Sequence, residues 1–345
     1  MKMSFRWYGP KDPVTIDKIG QIPVIDSIVS AVYDVPVGEV WSNESIEALK
    51  TAAAGAGLTF EVVESVPVPE DIKMGKPNRD RLLDNYRENI FRLGKAGVKC
   101  ICYNFMPVFD WLRSELKSPQ KDGSNALAYD EETVLKMNPL ESELSLPGWD
   151  ESYTHDQLVG LLNSYENIGE KELFDNLRYF LEAVIPAAEE AGVMMAIHPD
   201  DPPWGIFGLP RIITDMDHMK KFLSLYPSVN NGLTFCTGSF GAGRANDLTE
   251  MIRAAEGRIH FAHLRNIQYD GYRAFHETAH PTRCGSLDMY KIAKTLLECG
   301  FDGYVRPDHG RMIWGETGRG GYGLYDRALG AMYLYGLFEG IKKGL

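Results

Sequence analysis

A chain of 345 residues is long enough to bury a large apolar core without help from disulfides. Its net charge of −12, with 44% hydrophobic and 24% charged residues, describes a globular protein and argues against a nucleic-acid partner, because no basic block offsets the acidic balance. An anionic ligand would then need positive charge supplied locally, by a metal ion or a few arginines.

Five scattered cysteines, Cys100, Cys102, Cys236, Cys284 and Cys299, form no CxxC pair, so neither a disulfide framework nor a zinc ribbon is indicated. Cys100 and Cys102 lie in an apolar run and read as small buried hydrophobes. The opening MKMSFRWYGPKDP lacks the apolar run of a secretory signal, and no stretch reaches the roughly 20 apolar residues of a membrane span. A reduced, cytoplasmic setting with no membrane partner is expected, in which a free thiolate can act as a ligand.

In chain order the pattern is a short apolar strand followed by an amphipathic helix. Strands are predicted at 3–8, 27–34, 58–65, 98–105, 193–198, 232–236, 258–264 and 303–307. Several are continuous apolar runs, as parallel strands covered on both faces require. Helices are predicted at 45–56, 78–96, 170–191, 215–225, 247–255, 287–299 and 325–342. Three helix-to-strand junctions share a signature, AGV at 96–98, AGV at 191–193 and CGF at 299–301, in which glycine supplies the left-handed residue that ends the helix. Eight such units without a GxGxxG after the first strand predict one closed (β/α)8 barrel, a TIM barrel spanning 1–345. Two long interruptions, 106–169 after strand four and 268–286 after strand seven, follow strand C-termini and would sit over the barrel mouth as lids.

Barrel active sites lie where strands end. The last four strands each deliver one metal-capable side chain to that rim: His198, Cys236, His263 and Asp308. Two imidazoles, a thiolate and a carboxylate on adjacent strand ends point to one shared divalent ion. Four protein ligands would close a tetrahedral zinc site, so a catalytic ion that must also accept substrate oxygens favours Mn2+ or Fe2+, one per subunit, while thiolate softness leans toward iron or zinc, so ligand chemistry alone leaves the metal open. His260 points to another layer and reads as structural.

Around that rim, His309 follows Asp308 directly and is placed for proton transfer. The glycine-dense run after it brings Arg311, Arg319, Tyr322 and Tyr325 near the mouth. Arg6, Trp7 and Tyr8 close strand one, where an arginine can clamp a carboxylate. Asn104 ends strand four, and Arg265 and Asn266 follow His263. His276 and His280 on the second insertion either contact substrate or stabilise that loop, and Glu61 and Glu64 read as paired carboxylates or substrate contacts rather than ligands.

These residues also carry a resemblance. RWYGPKDPV at 6–14, HPDDPPWGIFGLPRI at 198–212, FCTGSFGAG at 235–243, HLRN at 263–266, FHETAHPT at 275–282 and RPDHGRMIWGE at 306–316 resemble the mannonate dehydratase family along essentially the whole chain. The resemblance implies a xylose-isomerase-like barrel, a manganese or iron ion on the same four ligands, and conversion of D-mannonate to 2-keto-3-deoxy-D-gluconate in hexuronate catabolism. It further implies an acid–base pair of His309 with a tyrosine from the glycine-rich run, placed at Tyr322 with Tyr325 as the alternative. With a cation nearby to lower it, Tyr322 is expected as base and His309 as acid. The rivals are a metal-dependent sugar isomerase on the same barrel and a sugar-acid binding protein. The aromatic stretch AMYLYGLF at 331–338 packs on the barrel or on another subunit, and a homo-oligomer, a dimer, is expected.

Overall fold

The strands fall in chain order at Lys2–Arg6 (β1), Ser27–Ser30 (β2), Thr59–Glu64 (β3), Cys100–Tyr103 (β4), Glu115–Pro119 (β5), Asn125–Asp130 (β6), Met194–Ile197 (β7), Asn231–Cys236 (β8), Ile259–Leu264 (β9), Asn266–Gly271 (β10), Ala274–Thr278 (β11) and Tyr304–Pro307 (β12). The computed structural model describes residues 1–139 and 154–344. Eight of the strands pair in parallel in the order β1-β12-β9-β8-β7-β4-β3-β2 and close into a barrel. These are the eight strands the sequence predicts.

Seven helices occupy the predicted places, among them Glu170–Ala191 and Tyr325–Lys342 at the predicted bounds. Ser42 caps Asn43–Gly55 by accepting from the Ser45 backbone. Gly97 and Gly192, at φ +99° and +66°, end their helices in the left-handed conformation that a side chain would resist. A short helix, Thr237–Ala242, starts directly after β8 and escapes the sequence reading, because TGSFGA has too many small residues to show a periodic face.

Two apolar layers hold the barrel. Val29, Val62, Cys100, Cys102, Ala196 and Phe261 fill part of its interior. A larger cluster, including Phe5, Ile101, Leu177, Phe180, Val184 and Leu296, seals strands against helices. Cys100 and Cys102 are buried, as read from their neighbours.

The two interruptions do not stay irregular. Strands from both meet in one antiparallel sheet in the order β10-β11-β6-β5, with Phe275 opposite Tyr129 and His276 opposite Ala128, and the first also carries the helices Glu131–Leu135 and His155–Ser164. Residues 140–153 of the first interruption lie outside the described residues. Trp204 packs edge-on against Tyr129, and Tyr129 stacks on Phe275, which fixes the sheet to the loop after β7.

Candidate active site

The C-terminal ends of the barrel strands surround a cavity of about 360 Å3. Arg6, Glu64, Cys102, Asn104, Trp111, His198, Asp201, Arg265, Arg306, Asp308, His309, Arg319 and Tyr322 are among the residues that line it. At its closed end, one ligand atom each from His198, Cys236 and His263 lies within 4.8 Å of the other two. Asp308 completes the group: Oδ2 is 3.4 Å from Cys236 Sγ and Oδ1 is 3.7 Å from His263 Nδ1. The four residues named from strand ends therefore converge.

The donor set fits a divalent cation. His198 Nδ1 lies 2.7 Å from the Pro199 carbonyl and must donate to it, which leaves the Nε2 lone pair for a metal. His263 Nε2 is buried, 3.3 Å from Glu64 Oε2 and without a well-aligned hydrogen bond among the described residues. Burial lowers both rings, with Arg306 helping to bring His263 to about 3, so both are held neutral, as ligands must be. Burial would raise the Asp308 carboxyl, but Arg306, His309 and Arg265 hold it well below the usual range. Burial pushes the Cys236 thiol up to about 12. A cation would have to displace that proton, and a coordinating thiol does lose it.

A second triad, Glu64, Cys102 and His263, is equally close. Two guanidiniums stand against a cation there: Arg306 at 3.1 Å and Arg6 at 3.7 Å from Glu64.

Beside the ligand group runs a line of hydrogen bonds. The Tyr322 hydroxyl is 2.9 Å from His309 Nε2, and His309 Nδ1 is 2.8 Å from Glu277 Oε1. Glu277 in turn accepts from Arg113 at 2.7 Å, and Arg113 makes a two-pronged pair with Asp201 at 2.9 Å on each arm. Burial would raise Glu277, but His309, Arg265 and Arg113 bring it down to about 2. Arg265 bridges this line to the ligand group, reaching Asp201 at 2.7 Å, Glu277 at 3.3 Å and Asp308 at 3.1 Å. It fits only because residue 238 is glycine, since a Cβ there would collide with the guanidinium. Tyr322 is buried, and burial, reinforced by Tyr8, raises its hydroxyl well above 10 despite Arg306.

The structure also separates residues that the sequence grouped. Trp7 is 3% exposed and belongs to the apolar core behind the strand, because alternation sends it to the opposite face from Arg6 and Tyr8. His276 turns to Asp270 at 2.7 Å, away from the cavity. Arg311 is drawn away from the cavity by the buried Asp326 at 2.9 Å and by Asp122 at 2.7 Å. These three do not line the cavity, whereas Arg6, Asn104, Arg265 and Arg319 do. Tyr325 begins the last helix, 43% exposed, and its ring lies tilted against Trp314, whereas Tyr322 is the tyrosine that meets His309. His260 bonds the Val229 carbonyl at 2.8 Å, in keeping with a structural role, and Glu61 pairs with Lys2.

The sequence reading passed over Glu277, Asp201, Arg113 and Arg306. Arg306 was within reach, since it precedes Asp308 by two residues and so shares its face of the strand. HPDD holds two adjacent carboxylates, Asp200 and Asp201, with nothing local to tell them apart. Glu277 and Arg113 sit on the two interruptions, and nothing local marks their meeting.

Comparison with known proteins bears on this geometry. The family model for D-mannonate dehydratase (UxuA) matches residues 1–345. The chain belongs to the D-mannonate dehydratase family. A mannonate dehydratase from Streptococcus agalactiae serotype III (strain NEM316) is 55% identical over 346 residues, covering 100% of this chain and 99% of that protein. The crystal structure of mannonate dehydratase from Streptococcus suis serotype 2 superposes with a TM-score of 0.93 at 49% identity, covering 100% of this chain and 95% of the other. A xylose isomerase domain protein from Planctomyces limnophilus, at 13% identity, matches with a TM-score of 0.55 over 99% of this chain and 98% of its own, which places the mannonate dehydratase fold among xylose-isomerase-like barrels. An enzyme of the hydro-lyase class is thereby identified.

Proposed function

We propose that the chain converts D-mannonate to 2-keto-3-deoxy-D-gluconate and water, with His309 and Tyr322 moving the protons. One observation carries the reading: the His309–Tyr322 contact of 2.9 Å lies beside the convergent group of His198, Cys236, His263 and Asp308. That group would hold one Mn2+ or Fe2+ ion, whose chemistry when bound is to polarise the substrate carboxylate and its neighbouring hydroxyl.

His309 takes the C2 proton at Nε2. Glu277, ionised behind Nδ1, fixes the ring and balances the charge the ring gains, the arrangement a general base needs. Tyr322 is held as the phenol by burial and so serves as the donor: its proton leaves with the C3 hydroxyl as the C3–O bond breaks, giving water. This reverses the assignment expected from the sequence, because nearby cations do not offset the burial of the phenol. The enol left behind ketonises by taking a proton at C3. Arg6, Asn104 and Arg319 line the cavity and are the proposed contacts for the rest of the sugar acid. Arg265 is committed to three carboxylates and holds them in place.

The sheet formed from the two interruptions is proposed to cover the mouth, since Glu277 reaches His309 from it. The described cysteines are all free thiols, which supports a reduced, cytoplasmic setting, and no described helix is long and apolar enough to cross a membrane. The isomerase and binding-protein readings are not favoured by full-length relatives named as dehydratases.

The test is to strip the protein of metal, supply D-mannonate, add Mn2+, Fe2+ or Zn2+ in turn, and follow α-keto acid formation. Restored turnover to a 2-keto-3-deoxy acid is expected with manganese or iron. A ketose product, or no product with any of the three ions, rejects the reading.

A further inference from the structure

Arg327, in the first turn of the last helix, is fully buried, yet no carboxylate pairs with it among the described residues. Its neighbour Asp326 turns to Arg311 instead. The other buried arginines beside the cavity, Arg113, Arg265 and Arg306, each hold at least one acid. Arg327 gives its hydrogen bonds to main-chain carbonyls: Nε to Gly323 at 2.6 Å, Nη2 to Tyr322 at 2.6 Å and Nη1 to Arg6 at 3.3 Å. Taking a charge out of water without a counterion is unfavourable, and three carbonyls could be met by neutral donors. Burial lowers the guanidinium to about 10, which still leaves it a cation at neutral pH.

What this unpaired charge faces is Tyr322. The guanidinium carbon lies over the Phe5 ring at 4.2 Å and 5.5 Å from the centre of the Tyr322 ring. Its stem passes close to Gly310, the residue after His309, where a Cβ would lie 3.0 Å from Arg327 Cγ and 3.1 Å from its backbone nitrogen. Two other cations stand near Tyr322. Arg306 divides its charge between Glu64 and Asp308, and Arg319 lines the cavity where the substrate goes. Arg327 does not line the cavity; it sits behind the ring. When Tyr322 passes its proton to the leaving hydroxyl, the phenolate oxygen carries a negative charge until the His309 imidazolium, 2.9 Å away, returns a proton. At rest burial keeps the phenol intact, so a fixed cation behind it acts mainly as that charge develops.

We propose that Arg327 is a positioning residue for the dehydration, fixing the Tyr322 backbone to the end of β1 and supplying the positive charge that the Tyr322 phenolate requires. This rests on the reading of Tyr322 as proton donor. The test gives the Mn2+-loaded enzyme two substrates. D-Mannonate needs a proton to release its C3 hydroxyl as water, whereas 3-deoxy-3-fluoro-D-mannonate loses fluoride without one. Arg327→Met is expected to lower kcat on D-mannonate by about 100-fold, the scale of losing one fixed source of charge stabilisation. KM and bound Mn2+ should be unchanged, because Arg327 touches neither the cavity nor the four ligand residues. On the fluoro substrate kcat should stay close to the parent's. Arg327→Lys keeps the charge but cannot reach all three carbonyls; it should lose about tenfold on D-mannonate and nothing on the fluoro substrate. It answers by itself if the methionine variant does not fold. Tyr322→Phe is the control for the underlying reading and should also be spared on the fluoro substrate. If it is not spared, Tyr322 is not the donor, and the role of Arg327 falls with that reading. If it is spared while the Arg327 variants are slow on both substrates, Arg327 serves the fold only and this proposal alone is overturned. An Arg327→Lys enzyme as fast as the parent on D-mannonate overturns it as well.

Discussion

Glu277, on a strand that does not belong to the barrel, holds Nδ1 of His309 at 2.8 Å from the barrel's last strand end. The proton-transfer group is thus completed by an insertion, and its orientation depends on the sheet β10-β11-β6-β5 staying in place.

Replacing Glu277 by glutamine keeps the shape but removes the charge behind the ring and puts an amide where Arg113 and Arg265 expect an oxygen. The kcat is expected to fall by about 10–100-fold, the usual loss when the group behind a working histidine is changed. Metal content, measured by elemental analysis, should be unchanged, because Glu277 touches none of the four ligand residues. A kcat within twofold of the parent would remove Glu277 from the site.

That contact also marks the limit of what the sequence tells. The eight barrel strands show locally, as apolar runs ended by glycine and separated by periodic helices, and the four ligand candidates sit at strand ends where parity alone places them. The insertion sheet does not show locally. β5 alternates exposed and half-buried residues, and its neighbour β6 pairs with β11 across about 150 residues, so the apolar signal of each strand is weak until its partner is known. Arg113 and Glu277, 164 residues apart, meet only through that pairing. Trp7 fails for the opposite reason: one residue of register sends it into the core, and rim membership read from proximity in sequence ignores that.

His309→Asn and Tyr322→Phe test the two proton carriers separately. Each removes a group that exchanges a proton, and loss of a general acid or base lowers rate by about 10²–10⁴-fold. The KM for D-mannonate and the bound metal should change little, since neither side chain is among the four ligands. If Tyr322→Phe retains full activity, the donor is another group and the proposed order of transfers is wrong.

Acid sensitivity should come partly from a histidine far from the cavity. Burial, with Arg258 adding to it against the Val229 hydrogen bond, lowers His260 to about 4. The unfolded ring titrates near 6.5. Between those values the unfolded chain binds a proton that the folded chain refuses, so acidification favours unfolding. The contribution is complete above about 6.5 and shrinks as the pH falls toward 4. Urea midpoints of the parent and of His260→Gln, measured across that range, should converge at low pH. Parallel curves would mean that His260 titrates alike in both states.

Cys236 gives the sharpest test of the metal group, through the proton it must release. Its thiol is pushed up to about 12 by burial, so at neutral pH the metal-free site is protonated at sulfur. His263 is held neutral by its descent to about 3, and Asp308 is already ionised. Only one proton then has to leave when a cation enters. The apparent affinity for Mn2+ or Fe2+ should therefore rise about tenfold per pH unit between pH 6 and 8, because bound metal competes with that single proton. Cys236→Ser keeps a small polar side chain but cannot supply a thiolate, so its affinity should be lower throughout and nearly independent of pH. Titrations by competition with a chelating dye, at several pH values, read both slopes. Equal slopes in the two proteins would show that the sulfur is not a ligand.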